Sequence, residues 1–348
     1  MEKHFFGILL LLICSGVMAQ TNKRLSLEGQ YGFIIPHSSE LKEISQSNPF
    51  GVNVHYQTMN LGKNRWDACN CFHYLGVQLS YHNFANRDVI GSAYSLSGTF
   101  EPILWKNEKL AFSILSGIGV SYLDRVYDEI SNPENIFFSS PISFILFVTP
   151  KIEYRISENW SSQLTVAYNH ISNGGQSQPN KGINYPMLGI GVNRYFQSSP
   201  FPKYEKSDLP KTIQWFVETA FTTRESDWSN GRKPVLSLVG GFHKNLTAIN
   251  ALGAGLELTK DYALDVENSR LEALMPAPFI AHHFLFGRID FNQRFAIYTQ
   301  KPTGYNDYLF YQRYSLMYRL VNDFSMGFSL KAHGHVAENM DVRISFRF

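Results

Sequence analysis

The sequence predicts an all-β protein, an antiparallel transmembrane β-barrel of about sixteen strands. Apolar and polar residues alternate over repeated segments, which is typical of strands with one face toward lipid and one toward the barrel interior. Charged residues make up only 17% and aromatic residues 15% of the chain. The mean hydropathy of −0.19 is too polar for a bundle of membrane helices. A net charge of +2 offers no basic field for nucleic acid, so no such partner is expected.

The N-terminus predicts export. Lys3 supplies a positive charge, and residues 5–13 form an apolar run too short to span a bilayer. Ala19 ends an acceptable cleavage site, so residues 1–19 are predicted to be a signal peptide. We therefore expect the mature chain to reside in the bacterial outer membrane.

The C-terminal segment shows the strand pattern clearly. One parity carries apolar residues and the other carries polar ones, and the chain ends in Phe348. Similar segments predict strands at 24–35, 50–59, 73–83, 90–104, 109–122, 138–155, 160–171, 185–196, 213–223, 234–245, 248–260, 277–289, 291–300, 308–320, 323–333 and 336–348. With the N-terminus in the periplasm, most short turns lie inside and most long loops outside, as barrels prefer. The loop 60–72 is an exception.

A Pro-rich polar linker, residues 197–212, divides the predicted strands into two equal sets. Residues 20–196 form the first unit, and residues 213–348 form a second unit that weakly resembles it and is interpreted as a degenerate repeat. The sixteen strands could close into one barrel or into two tandem eight-stranded barrels. We slightly prefer one barrel.

Inward-facing charges predict an ion network in the barrel interior, formed by Lys151, Glu153, Arg155, Arg294, Arg313, Arg319 and Lys331. Other motifs are weak. The adjacent pair His282 and His283 would point to opposite faces of a strand, which is poor geometry for one metal. Cys69 and Cys71, the only cysteines after signal removal, could oxidise, but two thiols make no metal site. No metal is expected.

Candidate chemistry lies at the outer end of the seventh strand. His170 and Ser172 share one strand face, about 6.5 to 7 Å apart between Cα atoms. That spacing allows the imidazole to activate the hydroxyl, which is a poor nucleophile alone. Asn184, at the start of the eighth strand, can reach the same outer wall. An alternative is that these are polar residues at a wetted interface.

The whole segment HISNGGQSQPNKGIN resembles the lipid A 3-O-deacylase (PagL-type) family, whose naming overlaps with acyloxyacyl hydrolases. The family motif reads approximately H-x-S-N-(A or G)-G-x-x-x-P-N-x-G-I-E. The matches, with unbroken spacing, are His170, Ser172, Asn173, Gly175, Pro179, Asn180, Gly182 and Ile183. The resemblance implies that His170 is the general base and Ser172 the nucleophile. It also implies that Asn173 and the Gly175 N–H are oxyanion donors and that Asn180 supports the loop.

One position departs from the family. Asn184 stands where the family has an acidic residue. An amide oxygen can orient the histidine but cannot stabilise its charged form as a carboxylate does. The amide would also have to be held with its oxygen toward His170, for which a loop residue such as Asn180 is a candidate.

The resemblance covers residues 20–196 and implies an outer-membrane esterase that removes an ester-linked acyl chain from lipid A of lipopolysaccharide. This chemistry needs no cofactor. The alternative is a non-catalytic barrel, a pore or scaffold, with a relic His–Ser loop. In the second unit, His335, Ala337 and Glu338 align with the motif but lack a nucleophile, which predicts an inactive copy. Oligomeric state is not predicted.

Overall fold

A computed structural model of the protein describes residues 20–69, 71–174, 177–205, 212–226, 231–247, 249–264, 274–302, 305–334 and 336–348. The predicted signal peptide, residues 1–19, lies outside these ranges. The described residues form sixteen strands, one 3-10 turn at Ser39–Leu41 and one short helix, α1 (Lys63–Cys69). Neither helical segment of this described part has the length and apolarity needed to cross a membrane.

The strands of the first half run in chain order and precede the linker. They are β1 (Thr21–Gly32), β2 (Phe50–Asn60), β3 (His73–Asn83), β4 (Ser92–Lys106), β5 (Leu110–Leu123), β6 (Ile142–Arg155), β7 (Trp160–Ser172) and β8 (Ile183–Gln197). The strands of the second half follow it. They are β9 (Ile213–Glu225), β10 (Arg232–Asn245), β11 (Asn250–Asp261), β12 (Leu274–Phe286), β13 (Ile289–Ile297), β14 (Phe310–Val321), β15 (Phe324–His333) and β16 (Val336–Arg347).

The strands close into two eight-stranded antiparallel barrels, so the all-β, sixteen-strand prediction is confirmed. β1 pairs with β8, with Gly29 opposite Ile190. β16 pairs with β9, with Val342 opposite Phe221. Since β8 is already bonded on both edges, it has none left for β9. The single barrel that we preferred is therefore wrong, and the tandem arrangement is the one observed.

The two faces of each strand have opposite polarity, as the alternation predicts. On β7, Leu164, Val166 and Tyr168 point outward and are 49%, 55% and 48% exposed. Thr165 and Ala167, between them in sequence, are buried in the barrel interior, as is Asn169, which follows Tyr168. Apolar groups outside and polar groups inside are what a barrel surrounded by lipid requires.

The interior of the first barrel has an apolar end and an ionic end. An apolar cluster fills the outer end and includes Ile34, Phe84, Phe137, Phe138, Ile171, Ile183 and Tyr185. Deeper inside, the Arg24 guanidinium lies 2.7 Å from Glu101 and 2.6 Å from Glu153. The Lys151 ammonium lies 2.6 Å from the second oxygen of Glu101. Each of these four buried charges thus has a partner of opposite sign, which offsets the desolvation cost.

The second barrel repeats this design with a different set of charges. Arg343 lies 3.1 Å from Glu218 and 2.8 Å from Glu257. Arg294 lies 2.7 Å from Glu218, and Arg313 lies 3.1 Å from Glu257. The predicted interior ion network is therefore present, in two separate parts.

Two of the cations predicted for the network lie elsewhere. Arg155 donates to the Glu158 carbonyl and Arg319 to the Gly287 carbonyl, both in turns between strands. The alternation along a strand shows which face a residue lies on but not how far along the barrel axis it lies. It therefore cannot separate charges in the interior from charges near the turns.

Loops account for the other differences from the predicted elements. β6 begins at Ile142 rather than at 138 because Phe137 and Phe138 turn into the apolar cluster. The long loop 60–72 contains α1, and Cys71 is disulfide-bonded.

We expect Arg24→Met to destabilise the first barrel by about 3–5 kcal/mol because it leaves a buried carboxylate without its cation. Urea titration of the protein in detergent micelles, followed by tryptophan fluorescence, measures the change. Lys63→Met is the matched control because its pair with Asp67 is exposed and contributes little. Equal unfolding midpoints for the two variants would contradict a stabilising role for the cluster.

Candidate active site

The predicted site residues are brought together by one hairpin. His170 and Ser172 lie at the outer end of β7, and Asn184 lies at the start of β8. The register places Asn184 directly opposite His170. Directly opposed residues on a hairpin project to the same face, so all three side chains share the outer wall of the barrel.

The three side chains form a linear hydrogen-bonded series. His170 Nδ1 is 2.7 Å from Asn184 Oδ1, and His170 Nε2 is 3.1 Å from Ser172 Oγ. An amide oxygen can only accept, so Nδ1 carries the ring proton and donates it. Nε2 is then unprotonated and accepts from the Ser172 hydroxyl. This is the arrangement in which a neutral histidine acts as general base toward a serine.

The amide of Asn184 is held from its other side by a residue that the sequence analysis missed. Asn184 Nδ2 lies 3.4 Å from His37 Nδ1, and His37 Nε2 lies 2.9 Å from the Lys181 carbonyl oxygen. Asn180, the predicted holder of this amide, instead accepts a 3.1 Å hydrogen bond from the Asn173 backbone N–H. This contact joins two residues of the same loop, as is expected of a residue that supports the loop.

The structure describes only one of the two predicted oxyanion donors. Asn173 Nδ2 donates to the Ser177 carbonyl at 2.9 Å, to Ser177 Oγ at 2.9 Å and to Ser139 Oγ at 3.2 Å. The amide is therefore engaged by its own loop and by the loop that precedes β6. Gly175, the other predicted donor, lies outside the described residues.

Gly182 is a second residue whose role follows from the structure. Its φ is +68°, a conformation that favours glycine, and its N–H donates to the Phe137 carbonyl at 3.0 Å. A Cβ here would lie 3.0 Å from His170 Cε1 and 3.1 Å from Ser172 Cβ. Only a glycine fits against the pair without displacing it.

The second barrel borders the loop that follows Ser172. A Cβ on Gly174 would lie 3.0 Å from Met340 Sδ on β16. A cleft of about 340 Å³ opens beside this contact, lined by Gly174, Thr222, Thr223, Arg224, Arg232, Asn339 and Met340. The loop after Ser172 thus lies against the second barrel.

The second unit places a different set of groups at the aligned position. Ala337 has no hydroxyl, and Glu338 lies 3.0 Å from the Lys331 ammonium. His333 is buried in the interior, where its Nε2 lies 3.0 Å from the Tyr298 hydroxyl. His335, the aligned histidine, lies outside the described residues. The interpretation as an inactive copy stays a prediction.

Comparisons with known families match both halves of the chain. Residues 50–193 match the family model described as lipid A 3-O-deacylase (PagL). Residues 213–348 match the model described as acyloxyacyl hydrolase, C-terminal domain. Comparison with curated protein sequences finds no match.

Several solved structures are similar to this chain. The outer membrane enzyme PagL is 15% identical, with a TM-score of 0.36, and the alignment covers 48% of this chain and 97% of that one. Neisserial surface protein A is 10% identical, with a TM-score of 0.35 and coverage of 50% and 97%. Pseudomonas aeruginosa OccK5 is 10% identical, with a TM-score of 0.26 and coverage of 94% and 97%.

We expect Gly182→Ala to lower the reactivity of Ser172 toward a fluorophosphonate probe by roughly 10- to 100-fold, because a small displacement of His170 is costly. Labelling followed by peptide mass spectrometry measures the change. Gly231→Ala is the control, since Gly231 also has a positive φ, +92°, but has open space around its Cβ position. Unchanged labelling in Gly182→Ala would show that the close approach does not position the pair.

Proposed function

Because the chain belongs to the lipid A 3-O-deacylase (PagL) family, we propose that this outer-membrane barrel protein is an esterase that removes an ester-linked acyl chain from lipid A. The observation that carries the proposal is the contact between His170 Nε2 and Ser172 Oγ on the outer wall. Polar, titratable groups on a lipid-facing wall are costly and call for a functional explanation.

Ser172 Oγ attacks the ester carbonyl carbon while His170 Nε2 takes the hydroxyl proton. The tetrahedral intermediate collapses, the ester C–O bond breaks, and the imidazolium gives its proton to the departing sugar oxygen, which leaves as a hydroxyl group. A water molecule, deprotonated by His170, then attacks the acyl-enzyme. The fatty acid leaves and Ser172 regains its proton. Each step uses groups of this chain and water alone, so no cofactor enters the proposal.

The oxyanion is assigned to Asn173 and to the Gly175 backbone N–H. Since Asn173 Nδ2 is bound to Ser139 and Ser177 without substrate, the oxyanion would replace one of these acceptors. Such an exchange is ordinary, because catalytic hydrogen bonds often form only in the substrate complex.

The surface below the pair suits an acyl chain. Tyr168, Val166 and Leu164 continue along the same face of β7 from the His170 position toward the membrane, each about half exposed. An ester at Ser172 would let its hydrocarbon lie along these side chains while the sugar stays at the outer surface. This arrangement supports a lipid of the outer leaflet as the substrate, reached after export directed by residues 1–19.

The pore alternative finds little support in the described interior. In the first barrel the apolar cluster occupies the outer end and the paired charges of Arg24, Glu101, Lys151 and Glu153 lie below it. A packed interior of this kind is typical of small barrels, whereas channels need wider ones.

We expect Ser172→Ala to abolish deacylation and leave a folded, heat-modifiable barrel, because the change removes the nucleophile and little else. Mass spectrometry of lipid A from cells expressing each variant detects the loss of one acyl chain. Ser162→Ala is the matched control, being on the same strand and face but near the opposite end. Deacylation by Ser172→Ala at the wild-type rate would refute the assignment of the nucleophile.

We expect Asn184→Ala to lower turnover more than about tenfold, because His170 loses the acceptor that fixes its tautomer. Asn184→Asp should be tolerated, since a carboxylate also accepts from Nδ1 and stabilises the imidazolium. The rate of lipid A cleavage in detergent micelles tests both. Turnover at the wild-type rate in Asn184→Ala would show that Asn184 does not orient His170 and that the site works as a Ser–His dyad.

A further inference from the structure

We propose that His37 is a positioning residue that holds the Asn184 amide in the one orientation compatible with a catalytic His170. His37 follows β1, where the chain continues beside the start of β8. Ile35 forms a bridge with Asn184, and its N–H donates to the Asn184 carbonyl at 2.8 Å. The closure of the first barrel therefore brings His37 to Asn184 from a distant part of the sequence.

The hydrogen-bonded series through His37 has a fixed direction at its outer end. The Lys181 carbonyl oxygen can only accept, so His37 Nε2, at 2.9 Å, must carry a proton and donate it. In a neutral imidazole the other nitrogen is unprotonated and can accept a hydrogen bond. His37 Nδ1 is consequently an acceptor.

The acceptor role of His37 Nδ1 fixes the orientation of the Asn184 amide. The group that faces His37 Nδ1 must be a donor, which places Asn184 Nδ2 there, at 3.4 Å. The Asn184 oxygen is thereby turned to His170 Nδ1, at 2.7 Å, and the lone pair of His170 Nε2 is left for Ser172. A backbone carbonyl thus sets the tautomer of His170 through two intervening side chains.

The departure from the family explains why such a residue is needed. A carboxylate presents an oxygen whichever way it turns, whereas a rotated amide presents its NH₂ group to His170. His170 would then need an unprotonated Nδ1 and a protonated Nε2, which cannot accept the Ser172 proton. His37 excludes this rotated state. The effect of His37 on the rate of deacylation rests on the proposed function, whereas its effect on the orientation of the Asn184 amide does not.

The test is a double-mutant cycle with the rate of lipid A cleavage as the readout. We expect His37→Phe, which keeps a ring without nitrogens, to lower kcat about tenfold or more when residue 184 is Asn. In the Asn184→Asp background the same change should cost less than about twofold, since a carboxylate needs no holder. His37→Gln should keep most activity because its amide can both accept from Asn184 and donate to Lys181.

Equal losses in the two backgrounds would overturn the proposal, because they would show a merely structural role. A loss in His37→Gln as large as in His37→Phe would also count against it.

A measurement without substrate separates this proposal from the proposed function. The ¹⁵N chemical shifts of His170 distinguish a protonated Nδ1 from a protonated Nε2. We expect the Nδ1–H form in the wild type and a mixture of both forms in His37→Phe. An unchanged spectrum would refute the role of His37. A wild-type protein that leaves lipid A intact would refute the deacylase proposal while the spectrum still decides on His37.

Discussion

The pairing of β1 with β8 is the constraint on which the site depends. In lipid, backbone groups have no water to bond with, so every strand edge must be paired and a sheet must close. Closure at this seam carries residues 33–37 past the start of β8. The candidate site draws its histidines and its amide from three segments, residues 33–37, β7 and β8, and two of these meet only at the seam. Backbone hydrogen bonding between the segment after β1 and the start of β8 thereby determines which side chains can orient His170.

Much of this architecture could be predicted from the sequence because the lipid imposes a period of two on each strand. The outward residues of β7, and those of β16 from Met340 onward, show that period. The meeting of His170, Ser172 and Asn184 on one face could be predicted too, since residues two apart share a face and the two strands of a hairpin lie opposite each other.

What could not be predicted depends on contacts between distant segments. The choice between one barrel and two was open because the pairing of β8 with β1 has no signature in the amino-acid sequence of either strand. His37 was missed for the same reason, since in a single sixteen-strand barrel β1 would adjoin β16 instead. Gly182 was noted only as a motif match, because its closeness to the His170 ring is a matter of packing. The assignment of Asn180 to the Asn184 amide failed because the loop turns it toward Asn173.

The two barrels share one plan but differ at the position of the candidate nucleophile. Each closes on itself and pairs its own interior charges, so each has its own source of stability. Where the first has Ser172, the second has Ala337. The second barrel nevertheless contacts the loop after Ser172 through Met340. In the described residues it is therefore a neighbour of the candidate site, and its interpretation as an inactive copy stays a prediction.

The filled interior of the first barrel has a consequence for how the candidate site would meet the substrate proposed for it. With apolar side chains at one end and paired charges below, the route to His170 and Ser172 is sideways, from the surrounding leaflet. Encounter is then a two-dimensional process. Turnover would follow the number of substrate molecules per unit area of membrane and their lateral diffusion, and an assay that varies only the bulk concentration would measure the wrong variable.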